Sequence, residues 1–474
     1  MTIPIPEDGL RGGAFYAAVG TLIVTIFMAA LDTSIANTAL PTIAKDLNAQ
    51  PAASVWVVNA YQLAVVVTLL PFASLGEIMS YRRVYAWGLV LFTVSSLLCA
   101  LSYSLPTLTA ARIIQGIGAS GIMSVNTALI RFIYPHKYLG RGLGINALTV
   151  AVSTAVGPTV ASAILSITSW QWLFAVNVPL GIIAIVAGIR VLPVNRSNEQ
   201  KFDYRSAILN ALTFGFLIFA IGEGAHSAST LVTVACVGIA LVSGVFLILR
   251  QLALPAPLLP VDLYRRPMFA LSSATSVCSF IAQGLAFVSL PFYFQTVLGF
   301  SAVETGLLLT PWPVMTGLAA PFAGPMADRY PSAILCGIGL AILCVGLSLI
   351  AFLSGHPGIW GIVWRMMICG TGFGFFQSPN LRAIMTSAPP ERSGGASGIV
   401  ATSRLSGQAV GAALVALCFS LSMSYGPSLA LGLGAIFAGG GSLVSFSRLL
   451  AHNPFTAGRQ PSAPRREAPG SGAA

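Results

Sequence analysis

Apolar runs of roughly 20 residues recur along the whole chain, and this recurrence limits the possible folds more than any other feature. Each run is long enough to cross the ~30 Å hydrocarbon core of a bilayer as a helix. Of the 474 residues, 56% are hydrophobic and only 8% are charged, whereas soluble domains have about 25% charged residues. The pattern predicts an all-α polytopic membrane protein. The first run is too long, and too similar to the later ones, for a cleavable signal peptide.

The runs predict fourteen spans, with both ends of the chain in the cytoplasm. Their approximate bounds follow from the ~20-residue run length: 14–38, 53–75, 84–104, 107–132, 140–165, 170–191, 205–224, 228–250, 268–297, 303–326, 331–354, 358–384, 394–420 and 427–449. On this assignment Lys45 is the only basic residue in an outer loop, so the positive-inside rule sets the orientation. The same asymmetry accounts for the net charge of +11 without a nucleic-acid partner. We expect the chain to lie in the cytoplasmic (inner) membrane, in contact with the lipid bilayer.

Two sequence echoes indicate an internal repeat of six spans. GEIMSYRRVY, between spans two and three, is matched by GPMADRYPSA between spans ten and eleven, and ARIIQGIG in span four by WRMMICGTG in span twelve. We therefore predict two six-helix bundles, at residues 14–192 and 253–450, with an inserted helix pair at 193–252. Residues 1–13 are predicted to be a cytoplasmic segment and 451–474 a disordered cytoplasmic tail. Such repeats are typical of secondary transporters, whose substrate site lies between the halves.

The sequence offers little support for an enzyme or an ATP-driven pump. Its seven cysteines lie singly in apolar runs, without a CxxC pair or a Cys/His cluster, so neither a metal site nor a disulfide is predicted. No nucleophile–base pair or Walker lysine is recognisable. We expect no catalytic residues and no cofactor.

Several motifs resemble those of the major facilitator superfamily, in particular its 14-span drug:proton antiporter family of the EmrB/QacA type. LDTSIANTALP in span one resembles the signature LDxTIVNVALP, and RIIQGIGAS in span four resembles RxxQGxGAA. VGPTVAS in span five resembles the antiporter motif GxxxGPxxGG, and FDYRSAILNAL resembles the start of the extra helix pair. The resemblance covers nearly the whole chain. It implies the major facilitator fold and a proton-coupled antiporter that exports drugs or other amphipathic small molecules, and we expect a monomer.

The loop after span two departs from that family. Its GxLADRxGRRR pattern becomes ASLGEIMSYRRV, in which Glu77 replaces the aspartate and an isoleucine replaces the first arginine, while Arg82 and Arg83 remain. The resemblance implies a cytoplasmic latch between the halves at these residues and at their second copy, Asp328 and Arg329. The alternative is that the arginines only follow the positive-inside rule.

Asp32 is the most informative single residue, because it lies inside the first apolar run. An ionised carboxylate within a span costs at least ~2.5 kcal/mol unless it faces protein or water. We expect Asp32 to carry the coupling proton, in the outer half of a central cavity. Arg112 in span four is expected to be its fixed charged neighbour, since a guanidinium does not lose its proton. The alternatives are that Asp32 caps a helix near the outer surface and that Arg112 extends to that surface.

Amide side chains within spans are the predicted lining of the substrate cavity, because hydrocarbon would leave them unpaired. They are Gln62, Gln115, Asn126, Gln283 and Gln377. Arg365 and Arg404 are further charged residues within spans.

Gly157 and Pro158 should bend span five. The resemblance implies that they form a hinge and seal, although simple packing is an equal alternative. A proton-coupled carrier of one specific metabolite remains the alternative function, and a membrane-embedded enzyme or receptor is the least favoured.

Overall fold

In the computed structural model the chain is almost entirely helical over the residues that the structure describes. These residues are 9–193, 202–223, 230–254, 259–353, 358–389, 392–422 and 425–450. The predicted tail at 451–474 lies outside them, as does most of the predicted N-terminal segment. Within the described part, fourteen helices are long and apolar enough to cross a membrane, which confirms the predicted fold class.

The fourteen helices are numbered here in chain order. They are α1 (Gly12–Asp46), α2 (Pro51–Met79), α3 (Tyr81–Ala100), α4 (Leu105–Ile133), α5 (Leu139–Ile167), α6 (Gln171–Val191), α7 (Tyr204–Gly222), α8 (Leu231–Ala253), α9 (Pro267–Val297), α10 (Ala302–Arg329), α11 (Ser332–Ala351), α12 (Ile359–Ser387), α13 (Gly395–Leu421) and α14 (Gly426–Ser447). Several are longer than the apolar runs that predicted them. Helix α1, for example, continues through Pro41 to Asp46.

Two bundles of six helices, α1–α6 and α9–α14, repeat the same packing. In the first bundle α4 packs against α2 and α3, while α1 packs against α5 and α6; in the second, α12 packs against α10 and α11, while α9 packs against α13 and α14. Helices α7 and α8 pack against each other, and α7 also contacts α2 and α13. The inserted pair, α7 and α8, therefore lies at one side of the interface between the two bundles.

Glycines at equivalent places in α4 and α12 allow this packing. A Cβ atom on Gly116 would lie 2.5 Å from the carbonyl oxygen of Tyr61 in α2. A Cβ atom on Gly370 would lie 2.2 Å from the carbonyl oxygen of Trp312 in α10. Only glycine permits such close approach of two helix backbones. The echo between ARIIQGIG and WRMMICGTG thus corresponds to equivalent helix contacts.

The two bundles close against each other at one end. Because the spans alternate in direction, α1 begins and α14 ends at what we call the near end, and the opposite end is the far end. At the far end the hydroxyl oxygens of Thr159 in α5 and Thr310 in α10 are 2.9 Å apart. Ser162 Oγ also donates to the carbonyl oxygen of Ala302, at 3.3 Å. A Cβ atom on Gly306 would lie 1.8 Å from Ser162 Oγ, so this contact requires glycine.

Candidate functional site

Asp32 lies within α1 and its carboxylate is buried among three donors. The side chain is 1% exposed. Its Oδ2 accepts a hydrogen bond from Arg112 Nη1 at 2.5 Å, and its Oδ1 accepts from Gln115 Nε2 and Asn177 Nδ2, both at 2.9 Å. Asp32 is far from either end of α1 and does not cap a helix.

Arg112 is equally well fixed. It is fully buried, its Nε donates to the carbonyl oxygen of Val57 at 3.0 Å, and its Nη1 also donates to Gln115 Oε1 at 2.6 Å. The guanidinium carbon lies 4.1 Å from the ring centroid of Tyr61, within the range of a cation–π interaction. These contacts hold the charge inside the first bundle, so Arg112 does not extend to the membrane surface.

Two members of this network were not predicted from the sequence. Asn177 in α6 binds Asp32 directly, and Ser96 in α3 accepts from Gln115 Nε2 at 2.9 Å. With them, the network joins α1, α3, α4 and α6. Asn177 carries the same signal that singled out the glutamines, an amide within an apolar span.

A cavity of about 250 Å³ lies between the two bundles and has lining residues from both. Three of the predicted cavity residues line it: Gln62, Gln283 and Gln377. The other two lie elsewhere, because Gln115 belongs to the Asp32 network and Asn126 Nδ2 donates to Asn146 Oδ1 at 2.8 Å. Asp32 is not a lining residue, but its neighbour Thr33 is, and so is Tyr61. The Asp32–Arg112 pair is therefore one layer behind the cavity wall.

The cavity wall combines aromatic rings with polar atoms that have no hydrogen-bond partner. Phe287 and Trp312 have ring centroids 5.1 Å apart, and Phe280 and Phe373 form an edge-to-face pair at 5.8 Å. Trp312 Nε1 and Gln62 Oε1 are buried without a partner among the described residues. Buried polar atoms are nearly always paired in a protein core, so these two atoms at the cavity wall have unused hydrogen-bonding capacity.

The Gly157–Pro158 pair contacts α1 closely. Pro158 has no N–H to donate, so the carbonyl oxygen of Thr154, four residues earlier, lacks its helical partner. Ser34 Oγ of α1 donates to that oxygen at 3.2 Å. A Cβ atom on Gly157 would lie 2.3 Å from the same hydroxyl. The GP pair of α5 and Ser34 of α1 thus form one complementary contact, and Ser34 was not singled out from the sequence.

Two of the five residues predicted to latch the halves together form contacts within single bundles. Arg82 donates to the carbonyl oxygen of Ile189 in α6, and Asp328 pairs with Arg382 of α12. The other three are exposed: Glu77, Arg83 and Arg329. None of the ion pairs found among the described residues connects the first bundle to the second. The described residues also contain no group of three or more His, Cys, Asp or Glu side chains placed to hold a metal ion.

Comparison with known proteins gives consistent matches over most of the chain. The sequence pattern of the Major Facilitator Superfamily matches residues 22–412. The chain is 56% identical, over 436 residues, to the uncharacterized transporter YebQ of Escherichia coli (strain K12), covering 92% of this chain and 95% of that one. It is 30% identical, over 405 residues, to the riboflavin transporter RibZ of Clostridioides difficile (strain 630), covering 85% and 88%. It is 31% identical, over 405 residues, to the multidrug resistance protein Stp of Mycobacterium tuberculosis (strain CDC 1551 / Oshkosh), covering 83% and 74%.

Proposed function

Because the chain belongs to the major facilitator superfamily of transporters, we propose that it is a proton-coupled antiporter of the 14-span EmrB/QacA type. Its cargo is an amphipathic small molecule, exported across the cytoplasmic membrane. The observation that carries the proposal is the Asp32–Arg112 ion pair, buried directly behind the wall of a cavity shared by both bundles. The similarity to the multidrug resistance protein Stp supports export.

The ion pair supplies a physical means of coupling. Arg112 keeps its charge at all relevant pH values, so protonation of Asp32 leaves an uncompensated cation inside the first bundle. Removing one partner of a buried pair costs about 3–5 kcal/mol. A shift of about 5.5 kcal/mol moves a two-state equilibrium from 1:99 to 99:1. The free-energy cost of leaving Arg112 unpaired when Asp32 is protonated is therefore large enough to drive much of the change between the inward-facing and outward-facing states.

Two neighbours connect the pair to the cargo. Tyr61 lines the cavity and stacks on Arg112, and Thr33 lines it next to Asp32. A molecule in the cavity touches the side chains that hold the network, so cargo and proton act on the same two helices, α1 and α2. In the antiport cycle a proton from outside neutralises Asp32 and favours release of the cargo outward. Return to the inward-facing state then releases the proton inside.

The distribution of basic residues supports a cytoplasmic near end. Closure between α5 and α10 at the far end, through Ser162 and Ala302, then corresponds to an inward-facing conformation.

The membrane potential supplies ~2.3 kcal/mol for each charge moved across the membrane per 100 mV, and this energy drives export. In this conformation the contacts described for Arg82 and Asp328 stay within one bundle, and the near-end loops that carry these residues are proposed to latch the bundles in the outward-facing state.

A carrier for one specific metabolite is the second candidate, and the similarity to the riboflavin transporter RibZ favours it. The two candidates differ in selectivity. A pump-deficient bacterial strain that expresses the chain should gain resistance to several unrelated amphipathic compounds under the export proposal. Resistance to none of them, together with uptake or export of a single metabolite, would favour the specific carrier.

The coupling mechanism is tested by substrate-induced proton release from everted membrane vesicles, using a compound identified in that resistance screen. Wild-type vesicles should release protons when the compound is added, and a protonophore should abolish the signal. Asp32→Asn should release none at a matched protein level. The double variant Asp32→Asn/Arg112→Gln carries neither charge, so it leaves no unpaired buried charge to destabilise the fold. It should also release no protons, which would separate the loss of coupling from an effect on folding. Wild-type proton release by either variant would exclude Asp32 from the coupling step.

A further inference from the structure

The charge of the cavity wall narrows the class of cargo, and this inference rests on the export function proposed above. Among the lining residues that the structure describes, Arg404 of α13 is the one charged side chain, and none is Asp or Glu. The Asp32–Arg112 pair lies behind the wall and contributes no net charge. The cavity is therefore positive.

Arg404 differs from the two fully buried arginines, Arg112 and Arg448, in its partners. Arg112 is neutralised by Asp32. Arg448, directly after α14, is in none of the ion pairs among the described residues, but its Nη1 donates to Asn380 Oδ1 at 2.9 Å and to Ser272 Oγ at 3.0 Å. Arg404 is only half-buried, and among the described residues it forms neither an ion pair nor a hydrogen bond with a side chain.

An arginine within a span that has no protein partner is costly, and it cannot lower that cost by losing its proton. The structural alternative, a charge that stabilises the fold through fixed partners, applies to Arg448 and not to Arg404. The remaining partner for the Arg404 guanidinium is a molecule inside the cavity, either water or an anion. Planar guanidinium groups bind carboxylates through two parallel hydrogen bonds, which makes a carboxylate the best-matched occupant.

The rest of the wall is suited to an aromatic body. Phe280, Phe287 and Trp312 present rings to the cavity, and aromatic rings prefer offset or edge-to-face contact with other rings. The indole Nε1 of Trp312 adds a donor without a protein partner among the described residues. A volume of about 250 Å³ is just below the usual range of roughly 300–1,000 Å³ for small-molecule sites, and it suits a ligand of one or two fused rings.

We propose that the cavity binds aromatic organic anions, with the acidic group paired to Arg404 and the ring system between the aromatic side chains. Cationic compounds are disfavoured by the same charge. The acid nearest in sequence to the lining residues of α10, Glu304, is exposed and accepts hydrogen bonds from the backbone N–H and hydroxyl of Ser301, so it does not offset Arg404.

The test is equilibrium binding to the detergent-purified full chain, without a proton gradient, of three probes with one ring system and different charge. They are 1-naphthoate, 1-naphthamide and 1-naphthylmethylammonium. Hydrogen bonds to a charged partner predict that naphthoate binds roughly ten- to hundredfold more tightly than the neutral amide. The ammonium compound should bind most weakly. This comparison needs no variant, so it is independent of any effect of mutation on folding.

Three variants locate the effect. Arg404→Gln should abolish the preference for naphthoate over naphthamide, while Arg404→Lys, which keeps the charge, should retain part of it. Arg365→Gln, in a half-buried arginine of α12 that does not line the cavity, is the matched control and should leave the preference unchanged. The proposal is wrong if the wild-type chain binds the ammonium probe best, binds all three equally or binds none. It is also wrong if Arg404→Gln preserves the preference in folded protein.

The outcome is separate from that of the antiport proposal. Binding of naphthoate without substrate-induced proton release would retain the anion site and refute proton coupling. Proton release driven by a cationic compound, with no binding of naphthoate, would retain proton coupling and refute the anion site.

Discussion

The ion pair between Asp32 and Arg112 should show strong energetic coupling in a double-mutant cycle. The cycle consists of Asp32→Asn, Arg112→Gln and the double variant. The carboxylate of Asp32 accepts hydrogen bonds from Arg112, Gln115 and Asn177. An asparagine has one acceptor oxygen in place of two, and its amide nitrogen must face at least one of these donors.

The magnitude follows from what each variant leaves behind. Asp32→Asn leaves a fully buried guanidinium without a counter-ion, and Arg112→Gln leaves a buried carboxylate with neutral donors only. Each should lower the free energy of unfolding by about 3–5 kcal/mol, a large part of the roughly 5–15 kcal/mol that stabilises a typical protein. The double variant is neutral and its two amides can pair with each other. It should lose less than either single variant, with a coupling energy of about 3 kcal/mol.

The assay is unfolding of the purified chain in mixed micelles, titrated with a denaturing detergent and followed by tryptophan fluorescence. Asn126→Ala is the matched control, because it removes a neutral hydrogen bond to Asn146 in the same bundle and should cost only about 1 kcal/mol. Additive losses in the cycle would refute the reasoning. They would mean that the two charges do not interact in the folded protein, and the coupling mechanism built on them would fail as well.

Two further predictions concern hydrogen bonds outside this network. Ser34→Ala removes the donor to the carbonyl oxygen of Thr154 and should lower the free energy of unfolding by about 1 kcal/mol. The loss should be smaller in a Pro158→Ala background, because the helix then supplies its own N–H to that oxygen. Equal losses in both backgrounds would contradict the assignment of that bond. Partial burial opposes ionisation of Asp203, but hydrogen bonds, led by the one from Arg250, hold its pKa below the ordinary value. Asp203→Asn should therefore lower the stability by about 1 kcal/mol or less at neutral pH. The difference should be fully present above the ordinary pKa of about 3.9 and disappear as the pH falls further, and a difference that grows on acidification would contradict the pairing.

The fold could be predicted from the sequence because the membrane imposes a simple rule. A helix that crosses the bilayer satisfies its own backbone hydrogen bonds, so the length and number of apolar runs determine the number of spans. The glycine-containing echo between spans four and twelve also depends on local sequence. Close helix packing requires a small residue at each contact, as at Gly116 and Gly370, and such positions are visible without a structure.

The composition of the site depends on which way each helix faces, and the sequence does not determine this. Spans that are apolar on all sides have no periodic pattern from which an inward face can be identified. Gln62 and Gln115 met the same criterion, a polar amide within a span, yet Gln62 lines the cavity and Gln115 binds Asp32.

Asn177 and Ser34 are site residues that the sequence analysis did not identify. Neither has a local pattern that identifies its partner, since Asp32 and Thr154 are distant in sequence and come within hydrogen-bonding reach only when α1 packs against α6 and α5. The sequence alone indicated a carboxylate and an arginine within apolar spans, Asp32 and Arg112, and it left open whether they lie at the outer surface. The rotation and packing of the helices decided that the two neutralise each other behind the cavity wall, while Arg404 lines the cavity without a partner among the described residues.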